Sequence, residues 1–254
     1  MKQLIKIENV KKYYGRKGNV TKAIDGITFS VEEQEFIGVM GASGSGKTTL
    51  INLLATVDTV TSGHIFYGST DITTLDEDEV ADFRKENLGF VFQDFNLLDT
   101  LTIEENISLT LSLYNEKRMD IKERTRDIMG RLGISELASK FPYEVSGGQK
   151  QRCACARALI NNPKIIFADE PTGALDSKSA RTLLKTLNSM NKDFGSTILM
   201  VTHDVFSASY CSRILFLQDG NIFHELKRNA KSQQDFLREI LNVLSLTGGE
   251  RYVE

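Results

Sequence analysis

Four short runs of the chain are almost wholly apolar: Phe36-Ile37-Gly38-Val39-Met40, Ile165-Ile166-Phe167-Ala168, Thr197-Ile198-Leu199-Met200-Val201 and Ile214-Leu215-Phe216-Leu217. Strands covered on both faces, as in a parallel sheet clothed by helices, read this way. Helical spacing lies between them, for example Ala180, Leu183, Leu184 and Leu187 within 180–190. Strand–helix alternation predicts an α/β fold. Two other stretches alternate apolar with polar positions, one around Leu4, Ile5, Ile7 and Val10 and one over 26–31, and they predict half-exposed strands. Between 94 and 161 no apolar strand occurs, and helical periodicity recurs over 103–114 and 121–132. This predicts a helical subdomain inserted in the α/β lobe. Past residue 230, QQDFLREILNVLSL predicts an amphipathic helix, followed by a Gly248-Gly249 break and a short polar tail.

Composition narrows the class. A chain of 254 residues is long enough to bury a large core and fits one two-lobed unit. Its 31 Lys+Arg against 34 Asp+Glu leave a net charge of −3, spread along the sequence. This argues against a nucleic-acid partner held by a basic surface. No apolar run approaches the roughly 20 residues that cross a bilayer. The opening MKQLIKIENV alternates like a strand and lacks the continuous apolar core of a signal peptide. Three cysteines cannot all pair, and none has zinc-ligand spacing with a histidine, so a reducing, cytosolic setting is expected. Cys153 and Cys155 read as packing residues, and Lys150, Arg152 and Arg157 as helix-surface charges.

The strongest chemical signal is Gly41-Ala42-Ser43-Gly44-Ser45-Gly46-Lys47-Thr48, which fits G-x-x-x-x-G-K-[ST], the phosphate-binding P-loop. Glycines let successive N–H groups turn inward around a phosphate, and the helix that follows points its positive end at the same anion. Lys47 would neutralise β- and γ-phosphate oxygens, and Thr48 would ligate Mg²⁺; Thr49 extends the same phosphate-binding run. Such a pattern arises by chance in about one chain of this length in a hundred. Here a strand precedes it at 36–40 and a helix follows at 48–55, as the motif requires.

Ile165-Ile166-Phe167-Ala168-Asp169-Glu170 is a buried strand ending in two carboxylates, suited to the carboxyl edge of a parallel sheet. Asp169 would hold Mg²⁺ through water, and Glu170 would polarise the attacking water as general base. By itself the pair could equally be a solvated strand end before the Pro171-Thr172-Gly173 turn. Val145-Ser146-Gly147-Gly148-Gln149 supplies a second glycine-rich helix start, opening a predicted helix over 149–159. It lies too far along the chain to belong to the P-loop. A natural use is to bind the nucleotide of a second copy from the opposite side.

With these motifs in this order, the chain resembles the ATP-binding cassette (ABC) ATPases over nearly its whole length. The resemblance implies a P-loop NTPase fold with a RecA-like α/β core, an antiparallel β subdomain and an inserted α-helical subdomain. It would divide into a nucleotide-binding core (1–93 and 162–230), a helical signature subdomain (94–161) and a C-terminal helix and tail (231–254). Tyr14 matches the aromatic that stacks on adenine, Tyr13 being the neighbouring alternative. Gln93, after the predicted strand 88–92, looks like the Q-loop glutamine that contacts Mg²⁺ and senses the transmembrane partner. VSGGQ resembles the LSGGQ signature with Val for Leu. Ala174-Leu175-Asp176 looks like the D-loop, and His203 like the switch histidine. The family pattern implies a head-to-tail homodimer closing on two ATP molecules, each site taking Lys47 from one protomer and Ser146 and Gly148 from the other.

The stretches LGFVFQDFNLLDTLTIEENI, FADEPTGALDSKSA and MVTHDVFSASYCSRILFLQDGNI resemble cassettes that serve FtsX-like permeases. Within that group GASGSGKTTL, Gln93 to Thr100 and the Gly248-Gly249 tail are similar to the bacitracin-resistance (BceA-like) branch. This implies a Gram-positive bacterium, resistance to cell-wall-directed peptide antibiotics, a place at the cytoplasmic face of the membrane, and a sensor histidine kinase reached through the permease. The alternatives are an ATPase of lipoprotein release, macrolide export or cell division, or a soluble ABC protein of ribosomes or DNA. Phe95, Leu97 and Leu98 could be covered by a permease helix or could be the subdomain's own core.

Overall fold

The computed structural model describes residues 2–16, 19–92, 94–112 and 118–246. In chain order the elements begin β1 (Gln3–Arg16), β2 (Asn19–Glu32), β3 (Phe36–Met40), α1 (Lys47–Leu54), β4 (Ser62–Tyr67) and β5 (Thr70–Asp71). Next come α2 (Glu77–Asn87), β6 (Leu88–Phe92), α3 (Ile103–Ser112), α4 (Arg118–Arg131), α5 (Gly147–Leu159) and β7 (Ile165–Asp169). The last are α6 (Ser177–Lys192), β8 (Thr197–Val201), α7 (Val205–Ala208), β9 (Arg213–Gln218), β10 (Asn221–Lys227) and α8 (Gln233–Leu246). They form two compact units, one running to Lys85 and resuming at Thr197, the other spanning Glu86–Ser196.

In the first unit β3 lies between two parallel neighbours, with Val39 opposite Val201 of β8 and Met40 opposite Phe216 of β9. Strand β10 adds antiparallel to β9. Every residue of β3 and β8 is buried. A strand covered on both faces has no polar side to show, so these segments are continuous apolar runs. A separate antiparallel sheet has the order β2-β1-β4-β5. Ile5, Ile7 and Val10 of β1 are all fully buried. Positions 7 and 10 of a regular strand face opposite ways. A register shift between Ile7 and Val10, with Asn9 at φ 46, turns both inward. Helix α8 buries Phe236, Ile240 and Leu244, one face at helical spacing, and packs on α7.

In the second unit β6 and β7 pair in parallel from Leu88 opposite Ile165 to Phe92 opposite Asp169. Helix α5 packs on β6, and α3, α4 and α6 gather around it. A Cβ at Gly89 of β6 would lie 2.6 Å from the Ala158 carbonyl, so the close approach of α5 needs glycine there. The helix is buried around most of its girth, including Gln151, Cys153, Ala154, Cys155 and Ala156. Both thiols are packing groups, and burial pushes each up to about 12. Arg157, read from sequence as a surface charge, is instead half-buried and donates to the carbonyls of Phe95 and Asn96. No helix among the described residues is long and apolar enough to cross a membrane.

Candidate functional site

The candidate residues fall into two sets, one in each unit. In the first, the loop 41–46 leaves the carboxyl end of β3 and runs into α1. Gly46 caps α1 at φ 105, where a Cβ would meet the Ala23 carbonyl at 2.4 Å. A Cβ at Gly41 would lie 2.3 Å from the Leu217 carbonyl. Both positions therefore require glycine, one for its backbone conformation and both for space. Gly44, at φ 78, faces open space. Ser45 is buried: its N–H donates to Ala42 O and its carbonyl accepts from Gly220 N. Lys47 is buried too, and its Nζ donates to the carbonyls of Gly41 at 2.9 Å and Ala42 at 3.0 Å. Helix α1 has no side-chain N-cap and no acidic residue in its first turn. The amides of Lys47, Thr48 and Thr49 lack intrahelical acceptors, so this end presents N–H groups and positive potential to an anion.

Tyr14, on β1, stands beside this helix. Its hydroxyl donates to Asp58 Oδ2 at 2.6 Å and is also hydrogen-bonded by the Thr49 side chain. Burial raises the phenol above its ordinary value, and the Asp58 contact adds to this. Lys12 Nζ lies 4.9 Å from the Tyr14 ring centroid and pairs with Asp58 Oδ1 at 2.5 Å. Successive strand residues face opposite ways. Tyr13 accordingly turns to β2, where its hydroxyl donates to Asp25. Of the two tyrosines, Tyr14 is the one beside α1. The supports Lys12 and Asp58 escape sequence reasoning: Asp58 lies far along the chain in a polar turn, and only the i, i+2 spacing of Lys12 and Tyr14 hints at a shared face.

His203 follows β8, whose end adjoins that of β3: Thr202 N donates to Val39 O at 3.1 Å. Asp204 caps α7 by accepting from Phe206 N and Ser207 N, and its own N–H donates to Thr202 Oγ1. The turn is thus fixed, with His203 exposed on it. Tyr14, the loop 41–49 and His203 all belong to this unit.

The second unit holds Asp169, Glu170, residues 146–149 and Asp176. Asp169 ends β7, half-buried. Glu170, next along, has φ 44, in the left-handed region that non-glycine residues rarely occupy, and its carbonyl accepts from Gly173 N. Backbone strain of this kind persists where the surroundings over-determine it, often at a working residue. Gln93 lies outside the described residues.

Ser146 caps α5, and Ser146 and Gln149 satisfy one another: Ser146 N donates to Gln149 Oε1 at 2.8 Å, and Gln149 N donates to Ser146 Oγ at 3.4 Å. The serine hydroxyl, accepting one bond, keeps its proton to donate. Beyond its chain neighbours and the backbone of α5, a Cβ at Gly147 would come no closer than 3.8 Å to another atom, and one at Gly148 no closer than 3.6 Å, both ordinary contacts. Neither residue has positive φ. Packing within the unit therefore does not require glycine at either position. Asp176 caps α6, accepting from Lys178 N, Ser179 N and Ser179 Oγ, and the Ser179 hydrogen bonds hold its carboxyl below the usual range. The two helix starts line a cleft of about 290 Å³ with Ser146, Gly148, Gln149, Arg152, Asp176 and Ser179 on its walls.

A glycine-rich loop between a buried parallel strand and a helix with no side-chain cap, with its lysine folded back on the loop, defines a P-loop nucleoside triphosphatase. The ABC transporter family profile matches residues 24–173. The chain is 48% identical to the bacitracin export ATP-binding protein BceA of Halalkalibacterium halodurans, over 97% of each protein. It is 49% identical to the ABC transporter ATP-binding protein YxdL of Bacillus subtilis, over 98% of this chain and 96% of that one. Among solved structures, the dimeric post-hydrolysis state of the cassette MJ0796 bound to ADP and Pi superposes with a TM-score of 0.79 at 37% identity, over 88% of this chain and 98% of the other. The chain belongs to the ABC transporter family, as an ATP-binding subunit that hydrolyses ATP.

Proposed function

We propose that this chain energises a membrane permease of the FtsX-like type that protects a Gram-positive cell against cell-wall-directed peptide antibiotics of the bacitracin or lantibiotic kind. The observation that carries this reading is the 48% identity, over nearly the full length of both proteins, to a bacitracin export ATP-binding protein. On this reading the chain sits at the cytoplasmic face of the membrane through its permease. The permease would also be the route by which a sensor histidine kinase learns of ATP turnover.

Two copies work together, each contributing its P-loop to one ATP and its Ser146 and Gly148 to the other. That no packing within the chain calls for glycine at 147 or 148 supports this, as does the dimeric form of the related cassette MJ0796. Lys47 neutralises β- and γ-phosphate charge, Tyr14 stacks on adenine, and Asp176 shapes the cleft beside Ser146. Glu170 takes the proton of the attacking water, and His203 holds the γ-phosphate and that water in line. These roles ask for positioning and charge neutralisation more than covalent chemistry, as phosphoryl transfer does.

Among the described residues no group of three or more His, Cys, Asp or Glu side chains forms a metal cage. Mg²⁺ suits what remains, since it keeps several waters and takes its other ligands from phosphate and one or two hard oxygens. The Thr48 hydroxyl, the Asp169 carboxylate and the Gln93 amide oxygen are donors of that kind, and the ion would offset charge between the β- and γ-phosphates. The core 1–93 with 162–230, the signature subdomain 94–161 and the tail 231–254 form the working division of the chain.

The test is peptide-antibiotic sensitivity of a host expressing this chain with the permease encoded beside it, wild type against Glu170→Gln. Protection by the wild type alone is the expected result. No protection, with both proteins verified in the membrane, would move the assignment to lipoprotein release or cell-division control.

A further inference from the structure

Arg157 lies in the last turn of α5, at the opposite end of the helix from Ser146. Its guanidinium spans two neighbouring carbonyls of the segment that follows β6: one Nη donates to Asn96 O at 2.5 Å and the other to Phe95 O at 2.9 Å. Phe95 and Asn96 are consecutive non-glycine residues in the left-handed region, at φ 61 and 49. Two such residues in a row persist only where their surroundings hold them. The fork geometry of arginine suits two carbonyls a peptide apart; an ammonium is a single point.

The same segment is pinned again downstream. Asn106 of α3, fully buried, accepts from Leu98 N at 2.8 Å and donates to the carbonyls of Leu98, Leu101 and Thr102, each at 3.0 Å. Between the two anchors Leu98 is left 47% exposed. The segment is therefore a rigid ledge with an apolar side chain facing out, fastened by Arg157 to the far end of the helix that Ser146 and Gln149 cap.

We infer that Arg157 is a positioning residue that makes the ledge 95–98 and the nucleotide-facing start of α5 move as one body, so that phosphate arriving at Ser146 and Gly148 is felt at Leu98. The inference rests on the proposed dimer, in which that phosphate belongs to the partner's ATP. A permease helix seated on the exposed Leu98 would thereby be linked mechanically to the site of closure.

The test uses full-length Glu170→Gln protein carrying Leu98→Cys labelled with an environment-sensitive dye. Cys153, Cys155 and Cys211 are buried with their thiols shifted upward, so the new cysteine takes the label selectively. ATP should drive dimerisation, read by size-exclusion chromatography, and change the dye's emission. With Arg157→Lys added, ATP affinity and dimerisation should stay, while the emission change is lost.

An unchanged emission response in Arg157→Lys dimers overturns the inference. So does a joint loss of ATP affinity, dimer and melting temperature, which would make Arg157 a packing residue only. Hydrogen exchange on the Glu170→Gln protein with Arg157 in place supplies an arm free of folding effects. Amides 95–98 should change protection on ATP addition, and no change overturns the inference as well. A protein in which ATP drives no dimer, whatever the residue at 157, overturns the proposed function itself and the inference with it.

Discussion

The Tyr14 hydroxyl donates to Asp58 Oδ2 at 2.6 Å while Lys12 Nζ, 4.9 Å from the ring centroid, holds the other carboxylate oxygen of Asp58 at 2.5 Å. If Tyr14 stacks on adenine as proposed, these contacts hold the ring in place beforehand and lower the ordering cost of stacking. Asp58→Asn should weaken ATP binding by about fivefold, on the order of 1 kcal/mol for a displaced hydrogen bond. Because Asp58 acts through the ring, the same substitution should do nothing further in a Tyr14→Ala background. Titration with a fluorescent ATP analogue in the four combinations measures this. Additive losses would mean that Asp58 serves the fold and not the ring.

The same carboxylate sets an acid sensitivity. Burial alone would raise the Asp58 carboxyl, but hydrogen bonds from Lys12, Tyr14 and the Thr59 amide outweigh it and hold the pKa below the ordinary carboxylate value. A folded pKa lowered in this way contributes stability that is present above the unfolded value, about 3.9, and is lost as pH falls through the folded one. Urea unfolding should therefore find Asp58→Asn less stable than the parent at pH 7. The gap should narrow as pH falls below the ordinary carboxylate value and close once pH has passed the lowered folded one. A gap that is constant across this range would remove the ionised carboxylate as its cause.

Glycines in the two loops should respond in opposite ways to the same change. At Gly148 a Cβ meets only Ser179, at 3.6 Å, inside a helix. Gly148→Ala should keep or raise the melting temperature, since alanine is favoured over glycine in a helix by up to about 1 kcal/mol. It should nonetheless abolish ATP-driven dimerisation. At Gly46, φ 105 and an Ala23 carbonyl 2.4 Å from any Cβ leave alanine no place. Gly46→Ala should lower stability by about 1–3 kcal/mol and lose ATP with it. Thermal melts and size-exclusion runs with ATP separate the two cases, and an unaffected dimer in Gly148→Ala would remove the outside approach argued for that residue.

What the sequence discloses depends on how a segment earns its place. Strands β3 and β8 and helix α8 are bounded as their patterns predict, because complete burial or a clear apolar face leaves one reading. The P-loop is legible because its backbone demands glycine at fixed spacing. Helix α5 starts two residues earlier than its predicted 149, since its first turn is defined by the Ser146–Gln149 cap and carries no apolar residue. Strands β1 and β2 run far longer than predicted, because the shift at Asn9 breaks the alternation that marks a strand. Helix α2 has only Val80 and Phe83 as large apolar side chains among charges, too little to show a face. Arg157 could not be read at all: a positive charge on a helix looks the same in sequence whether it faces water or two strained carbonyls 61 and 62 positions away.

On the proposed mechanism Glu170 combines a chemical role with a conformational cost, and substitution can separate them. It stands at φ 44 immediately before Pro171, a position where helical conformations are already disfavoured, and its carbonyl accepts from Gly173 N at 3.0 Å. Glutamine has the same length and the same backbone preferences, so Glu170→Gln should leave the turn, the stability and ATP affinity as they are. Loss of the base should slow phosphate release by about 10²- to 10⁴-fold and hold the ATP-bound dimer closed. Glycine adopts positive φ without penalty. Glu170→Gly should therefore be equally inactive yet more stable, because relief of the strain at φ 44 outweighs the freedom glycine gives the unfolded chain. Calorimetric melting and phosphate-release kinetics on both variants decide the matter. If Glu170→Gln turned over at the parent's rate, the general base would have to be sought elsewhere in the site.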